Sequence, residues 1–232
     1  MKLTINRRQF KTHVTYFVLA YLVAIALVNG AFSVLYGATT PEIPRQYKVD
    51  ILVAGSVDSS ESAQWSRDIL GTLPADQQLV QFLVMNITQG DMDDGTIIEA
   101  MYARLLTEEG DMLLLPYWLY DLLAPRGFFL RLDQPGEDDQ TPLAQLNLPE
   151  AIDPSRCEID YVLEKDEQGQ TIRTERSICG IPMDKVLGMW DLGLPPADLV
   201  ACFPVYTENL DNALASLQWM VDNKMTYTEP AK

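Results

Sequence analysis

The sequence predicts an α/β protein: an N-terminal transmembrane helix, then a mostly parallel three-layer α/β/α domain with an inserted β-hairpin. Three observations carry this expectation. Val14 to Tyr36 is a long apolar run without a charged residue. From Tyr47 to about Leu123, nearly all-apolar segments alternate with segments of helical period. Further on, Cys157 and Cys179 each lie eleven residues from Gln168, the symmetry of a tight hairpin.

At 1.5 Å per residue the 14–36 run spans about 34 Å, enough for a hydrocarbon core of roughly 30 Å. Tyr16, Tyr21 and Tyr36 suit interfacial positions. Lys2, Arg7, Arg8 and Lys11 precede the run, and residues 1–41 contain no Asp or Glu. The positive-inside rule therefore predicts a cytoplasmic N-terminus over 1–13, a membrane helix over 14–37 and an extracytoplasmic domain. The cell membrane is the expected location and the lipid bilayer a partner through 14–37. A cleavable signal peptide, cut near Ala31-Phe32-Ser33, is the rival, although its apolar region is normally only about 7–15 residues.

Residues 38–46 read as a Pro-stiffened linker, TTPEIPR at its centre. The domain is expected over 47–223. Tyr47–Ala54 (YKVDILVA) is a β-branched apolar run that fits a buried strand. Asp58, Ser59 and Ser60 suit the start of a helix running to Leu70. Leu79–Thr88 is the second strand. The acidic Gly90–Gly95 loop suits a helix N-terminus, and Thr96–Glu109 carries Ile97, Met101 and Leu105 at helical spacing. Asp111–Leu115 is a third strand, and Pro116 opens a further helix ended by Pro125 and Gly127. This alternation is the pattern of a parallel sheet covered on both faces. Ligands of such sheets sit at the carboxyl ends of the strands.

Residues 134–178 form the insertion. Its first part is polar and Pro-rich, and a three-residue loop at Glu167–Gly169 would set Cys157 opposite Cys179. Leu199–Val205 is the last strand, Asn209–Asp222 the last helix, and 224–232 a tail.

Charge and residue content narrow the chemistry. Thirteen Lys and Arg beyond residue 41 stand against all 33 Asp and Glu, a net charge of −20 for residues 42–232. That balance repels nucleic acid, which is not an expected partner. The one histidine, His13, precedes the domain. Ser-His-Asp and Cys-His catalysis and His-ligated metal sites are thereby excluded from the domain. No phosphate-binding or nucleophile-elbow motif is present. Asp91-Met-Asp93-Asp94-Gly95 fails the EF-hand pattern, since its twelfth position is Tyr102. No cofactor, metal or catalytic residue is expected, and a carboxylate-based hydrolase is the remaining enzymatic alternative. A Cys157–Cys179 disulfide with Cys202 free, and reduced buried thiols, both fit the cysteine spacing. Tyr117 and Trp118 stand at a strand end, where aromatics grip ligands or pack a helix onto the sheet.

Several short segments resemble the first lobe of bacterial extracellular solute-binding proteins of the type II periplasmic-binding fold. Val49–Ala54 with its Ser-rich loop, and Asp111-Met-Leu-Leu-Leu-Pro leading to Leu119–Leu132, are similar to the family's opening passages. Arg126-Gly-Phe-Phe-Leu-Arg-Leu-Asp133 and Cys179-Gly-Ile-Pro-Met-Asp184 resemble its later ones. Leu199–Val205 with Asn212–Val221 resembles the returning strand and helix. About 45 residues, 134–178, stand where the second lobe would be, so the resemblance implies a protein reduced to one lobe. It implies a membrane-anchored protein that binds a small solute weakly or assists a membrane transporter. By position, Ser56, Asp58, Ser59, Asp91, Tyr117 and Trp118 are the candidate ligand residues. The alternative is a non-catalytic protein-interaction module without a small-molecule ligand. An open strand-end edge favours the first; an edge filled by Phe128, Phe129 and the hairpin favours the second.

Overall fold

The structure, a computed structural model, describes residues 17–18, 21–30, 43–87, 95–135, 139–165, 168 and 171–226. The chain divides into two units, Met1–Glu42 and Ile43–Lys232.

In the first unit the expected transmembrane helix is not sustained. Among the described residues no helix is long and apolar enough to cross a membrane. Helix is described at 17–18 and 21–30. A single-pass anchor, and with it the bilayer contact, therefore has no support.

In the second unit, β1 (Lys48–Ala54), β2 (Leu79–Met85) and β3 (Met112–Pro116) alternate with α1 (Ser59–Leu70), α2 (Gly95–Leu106) and α3 (Tyr117–Leu123). The hairpin β4 (Glu158–Lys165) and β5 (Thr171–Ile178) follows, then β6 (Ile181–Pro182), β7 (Leu199–Cys202) and α4 (Leu210–Lys224). The main sheet has the order β2-β1-β3-β7-β6. β1 pairs in parallel with β2 and β3, whereas β7 is antiparallel to both β3 and β6. The sheet is thus mixed, which corrects the mostly parallel expectation. The cause is the connection. Parallel neighbours need a long crossover, usually helical. Residues 183–198 link β6 to β7 through two short 3-10 turns, Leu187–Trp190 and Pro196–Asp198.

Two cores lie on the two faces of the sheet. Val49, Ile51 and Val53 of β1 pack with Trp65 and Ile69 of α1 and with Leu217 and Met220 of α4. Leu52 and Ala54 point the other way, toward Met101 of α2 and Leu119, Tyr120 and Leu123 of α3. This period-two division is what a strand buried on both faces requires. The first core is closed by Trp65 against Trp219, ring centroids 5.6 Å apart, with Lys224 Nζ 4.7 Å from the Trp65 centroid. In the second, Phe129 stacks on Tyr120 at 5.9 Å.

The hairpin is a separate two-stranded sheet. Its register pairs Glu158 with Ile178, and the Cys179 amide donates to the Cys157 carbonyl at 3.3 Å. The two cysteines are thus opposite one another. The disulfide that the spacing allows is nevertheless not formed: Cys157, Cys179 and Cys202 are free and buried. Burial pushes the Cys157 thiol up to about 11 and Cys179 up to about 12. Both stay protonated near neutrality, and the protonated thiol is a poor partner in disulfide chemistry.

Gly180, between the hairpin and β6, sits where a side chain has no room. A Cβ there would lie 2.6 Å from Val200 Cγ1 and 3.0 Å from Tyr120 Cε2. Gly180→Ala is expected to destabilise the domain by about 1–3 kcal/mol through overpacking. Urea unfolding followed by tryptophan fluorescence checks this, and an unchanged midpoint would show that β7 shifts to accept the methyl group.

Candidate functional site

A cavity of about 530 Å³ opens at the carboxyl ends of β1, β2 and β3. The position follows from topology. β1 leads through α1 to β2 on one side, and β3 leads away on the other, so the chain changes direction between β1 and β3. Ligands of open α/β sheets bind in the crevice at such a switch point.

Each wall has a local cause. Ala54, Gly55 and Ser56 continue β1 into the cavity, and the Gly55 amide donates to the Met85 carbonyl at 2.9 Å. Gly55 allows a close approach: a Cβ there would be 2.9 Å from Leu194 Cδ2. Ile87 comes from the end of β2, and Pro116, Tyr117 and Trp118 from the end of β3 and the start of α3. The remaining wall is the β6–β7 connection, with Gly193, Leu194, Pro195, Asp198 and Leu199. That connection is tied to the β1–α1 loop by the Asp58 amide, which donates to the Leu192 carbonyl at 3.0 Å.

The lining is graded in polarity. Ala54, Ile87, Leu194 and Leu199 are buried. Tyr117 and Trp118 are half-buried, and Ser56, Asp121 and Asp198 are exposed. Tyr117 is fixed from behind. Its hydroxyl lies 3.8 Å from Cys157 Sγ, and the Arg156 guanidinium sits 5.8 Å from its ring centroid. Desolvation raises the Tyr117 hydroxyl above its ordinary value, with the Cys157 contact adding to the shift. It remains a neutral donor and acceptor at physiological pH. Partial burial also raises the Asp121 carboxyl.

The cavity brings together three of the six residues singled out by sequence: Ser56, Tyr117 and Trp118. Asp58 and Ser59 do not line it. Asp58 is the N-cap of α1, its carboxylate accepting from Ser60 N at 2.8 Å, Ser60 Oγ at 2.6 Å and Glu61 N at 3.1 Å. Ser59 opens the helix, and its carbonyl accepts from Ser62 Oγ at 3.2 Å. Asp91 lies outside the described residues. Asp121 and Asp198 were not singled out. In sequence Asp121 reads as the polar face of a short helix, and Asp198 as one acidic residue among 33.

Among the described residues no group of three or more His, Cys, Asp or Glu side chains is placed to hold a metal ion. No family model, no curated protein and no solved structure matches the chain.

The Asp58 cap has a pH signature. Hydrogen bonds from Ser60 and then Glu61 lower its carboxyl below the ordinary 3.8, so the native state favours the carboxylate. A depressed native value contributes stability that is full above the unfolded pKa and is lost as pH falls through the native one. Asp58→Ala should therefore lower the melting temperature at pH 7, with the gap to wild type narrowing below about pH 4. Thermal melts across pH 3–7 read this. A gap equally wide at both ends would show that the charge of the cap is irrelevant.

Proposed function

We propose that the Ile43–Lys232 unit is a non-catalytic binding domain, a single-lobed relative of solute-binding proteins whose small ligand sits in the strand-end cavity. The observation that carries this reading is a cavity of about 530 Å³ at the topological switch point, with a buried apolar floor and two aromatics. Small-molecule sites are commonly about 300–1,000 Å³, largely apolar, with a few placed polar groups. The location of Phe128 and Phe129 also supports it. Phe129 stacks on Tyr120, and Phe128 packs against Tyr102 at 5.5 Å, so neither fills the cavity. Among the described residues none of β4 or β5 lines it either.

The resemblance to one lobe gains support from the strand order. β7, likened to the family's returning strand, lies antiparallel between β3 and β6. The strand therefore runs back into the sheet beside the cavity, after a connection of only residues 183–198.

Two carboxylates, Asp121 and Asp198, do line the cavity, which is the starting requirement of a carboxylate-based hydrolase. Binding is favoured because neither carboxylate has a hydrogen-bonding or ionic partner among the described residues to hold it in a catalytic geometry.

A thermal-shift screen of the full chain against sugars, amino acids, oligopeptides, polyamines and metal ions tests the reading. A ligand at 100 times its Kd stabilises by about 2.7 kcal/mol, so even weak binding is visible at high concentration. One chemical class should raise the melting temperature, and Trp118→Ala should abolish the rise while Asp58→Ala leaves it intact. A flat screen on a cooperatively unfolding chain would favour the interaction module. Hydrolysis of a bound sugar, seen by mass, would favour the carboxylate enzyme.

A further inference from the structure

The lining of the cavity is selective in its charge. Among the described residues Asp121 and Asp198 are its only carboxylates, both exposed, and no described Lys, Arg or His lines it. The guanidinium of Arg156, over the far-reaching ring of Tyr117, is engaged by Asp184 at 2.7 Å and is not part of the lining. Asp121 is raised by desolvation with no donor or cation acting against it. The floor, with Ile87 and Leu194, is hydrocarbon, and Tyr117 and Trp118 present ring surface.

We propose that this cavity takes a small organic cation, an ammonium or guanidinium group carried on an apolar body. The charge is balanced by Asp121 and Asp198 while the body lies on Trp118 and the apolar floor. The inference rests on the reading of the cavity as a ligand site and names the ligand class. An anion would meet two carboxylates with nothing to offset them. A sugar would lay its hydroxyls against a floor that offers few partners, and unpaired polar groups are costly there. A cation gains from both carboxylates and from the face of the Trp118 ring. The net charge of −20 over residues 42–232 adds a field that draws cations toward the domain.

Titration calorimetry of the full chain with four matched probes tests the proposal: 2-phenylethylammonium, choline, neutral 2-phenylethanol and anionic 3-phenylpropionate. At least one cation should bind more tightly than the alcohol, and the carboxylate should not bind. Asp121→Asn and Asp198→Asn should each weaken cation binding about two- to fivefold, the range for partly exposed charge pairs, and leave the alcohol unaffected. Added salt should weaken only the cations. Equal affinity for alcohol and ammonium, or unchanged binding in both Asn variants, overturns the cation assignment and leaves the ligand site standing. Silence from all four probes also overturns it. The ligand-site reading itself fails only if the broader screen shows no shift that depends on Trp118.

Discussion

Burial of β1 and β3 from both faces is the constraint on which the rest of this domain depends. Val49, Ile51, Leu52 and Val53 of β1, and Met112 to Leu115 of β3, are wholly inaccessible. Their amides and carbonyls can be satisfied only by neighbouring strands, and their side chains only by a layer on each side. That fixes α1 and α4 on one face and α2 and α3 on the other. Helices placed on both faces must leave and re-enter at the strand ends. Between β1 and β3 the connections part, and the gap they leave is the cavity. The site is therefore a consequence of how the core is covered.

Much of this was legible in the residues, and the exceptions have physical causes. β1 and β3 announce themselves because a strand buried twice has no polar period to obscure it. The hairpin register was legible because equal spacing of Cys157 and Cys179 about Gln168 fixes which residues face each other. The direction of β7 was not. An apolar run such as LVAC reads the same in either sense, and orientation is decided by the connection that feeds it. The first segment misled for a related reason. Apolar composition over 14–36 measures affinity for hydrocarbon, whereas crossing a membrane needs a long apolar helix, and among the described residues there is none.

The candidate site divides in the same way. Ser56, Tyr117 and Trp118 were found because strand ends can be located from sequence, and position alone puts those residues at the switch point. Asp58 carries two readings in the sequence, because an aspartate after a strand serves equally to cap the next helix or to meet a ligand. Three short bonds to Ser60 and Glu61 decide for the cap. Asp121 and Asp198 gave no signal. One lies on a short helix, the other at the end of a 3-10 turn, and they meet the same cavity only because β7 folds back beside β3.

The proposed single-lobed binding domain has its own energetics. Proteins that close two lobes on a ligand gain affinity by removing it from water on all sides. This cavity is walled by one domain, so affinity has to come from preorganisation. The structure supplies that in its walls. Tyr117 is held by Cys157 and Arg156, Leu194 lies so close to Gly55 that a Cβ there would be 2.9 Å from its Cδ2, and the β1–α1 loop is bonded to the β6–β7 connection through Asp58 and Leu192. Side chains already fixed by the core lose little entropy on binding. The carboxylates of Asp121 and Asp198 are the opposite case, since both residues are exposed. In the proposed ligand site such a division, packed apolar walls and an exposed charged rim, assigns shape selection to the floor and charge selection to the mouth.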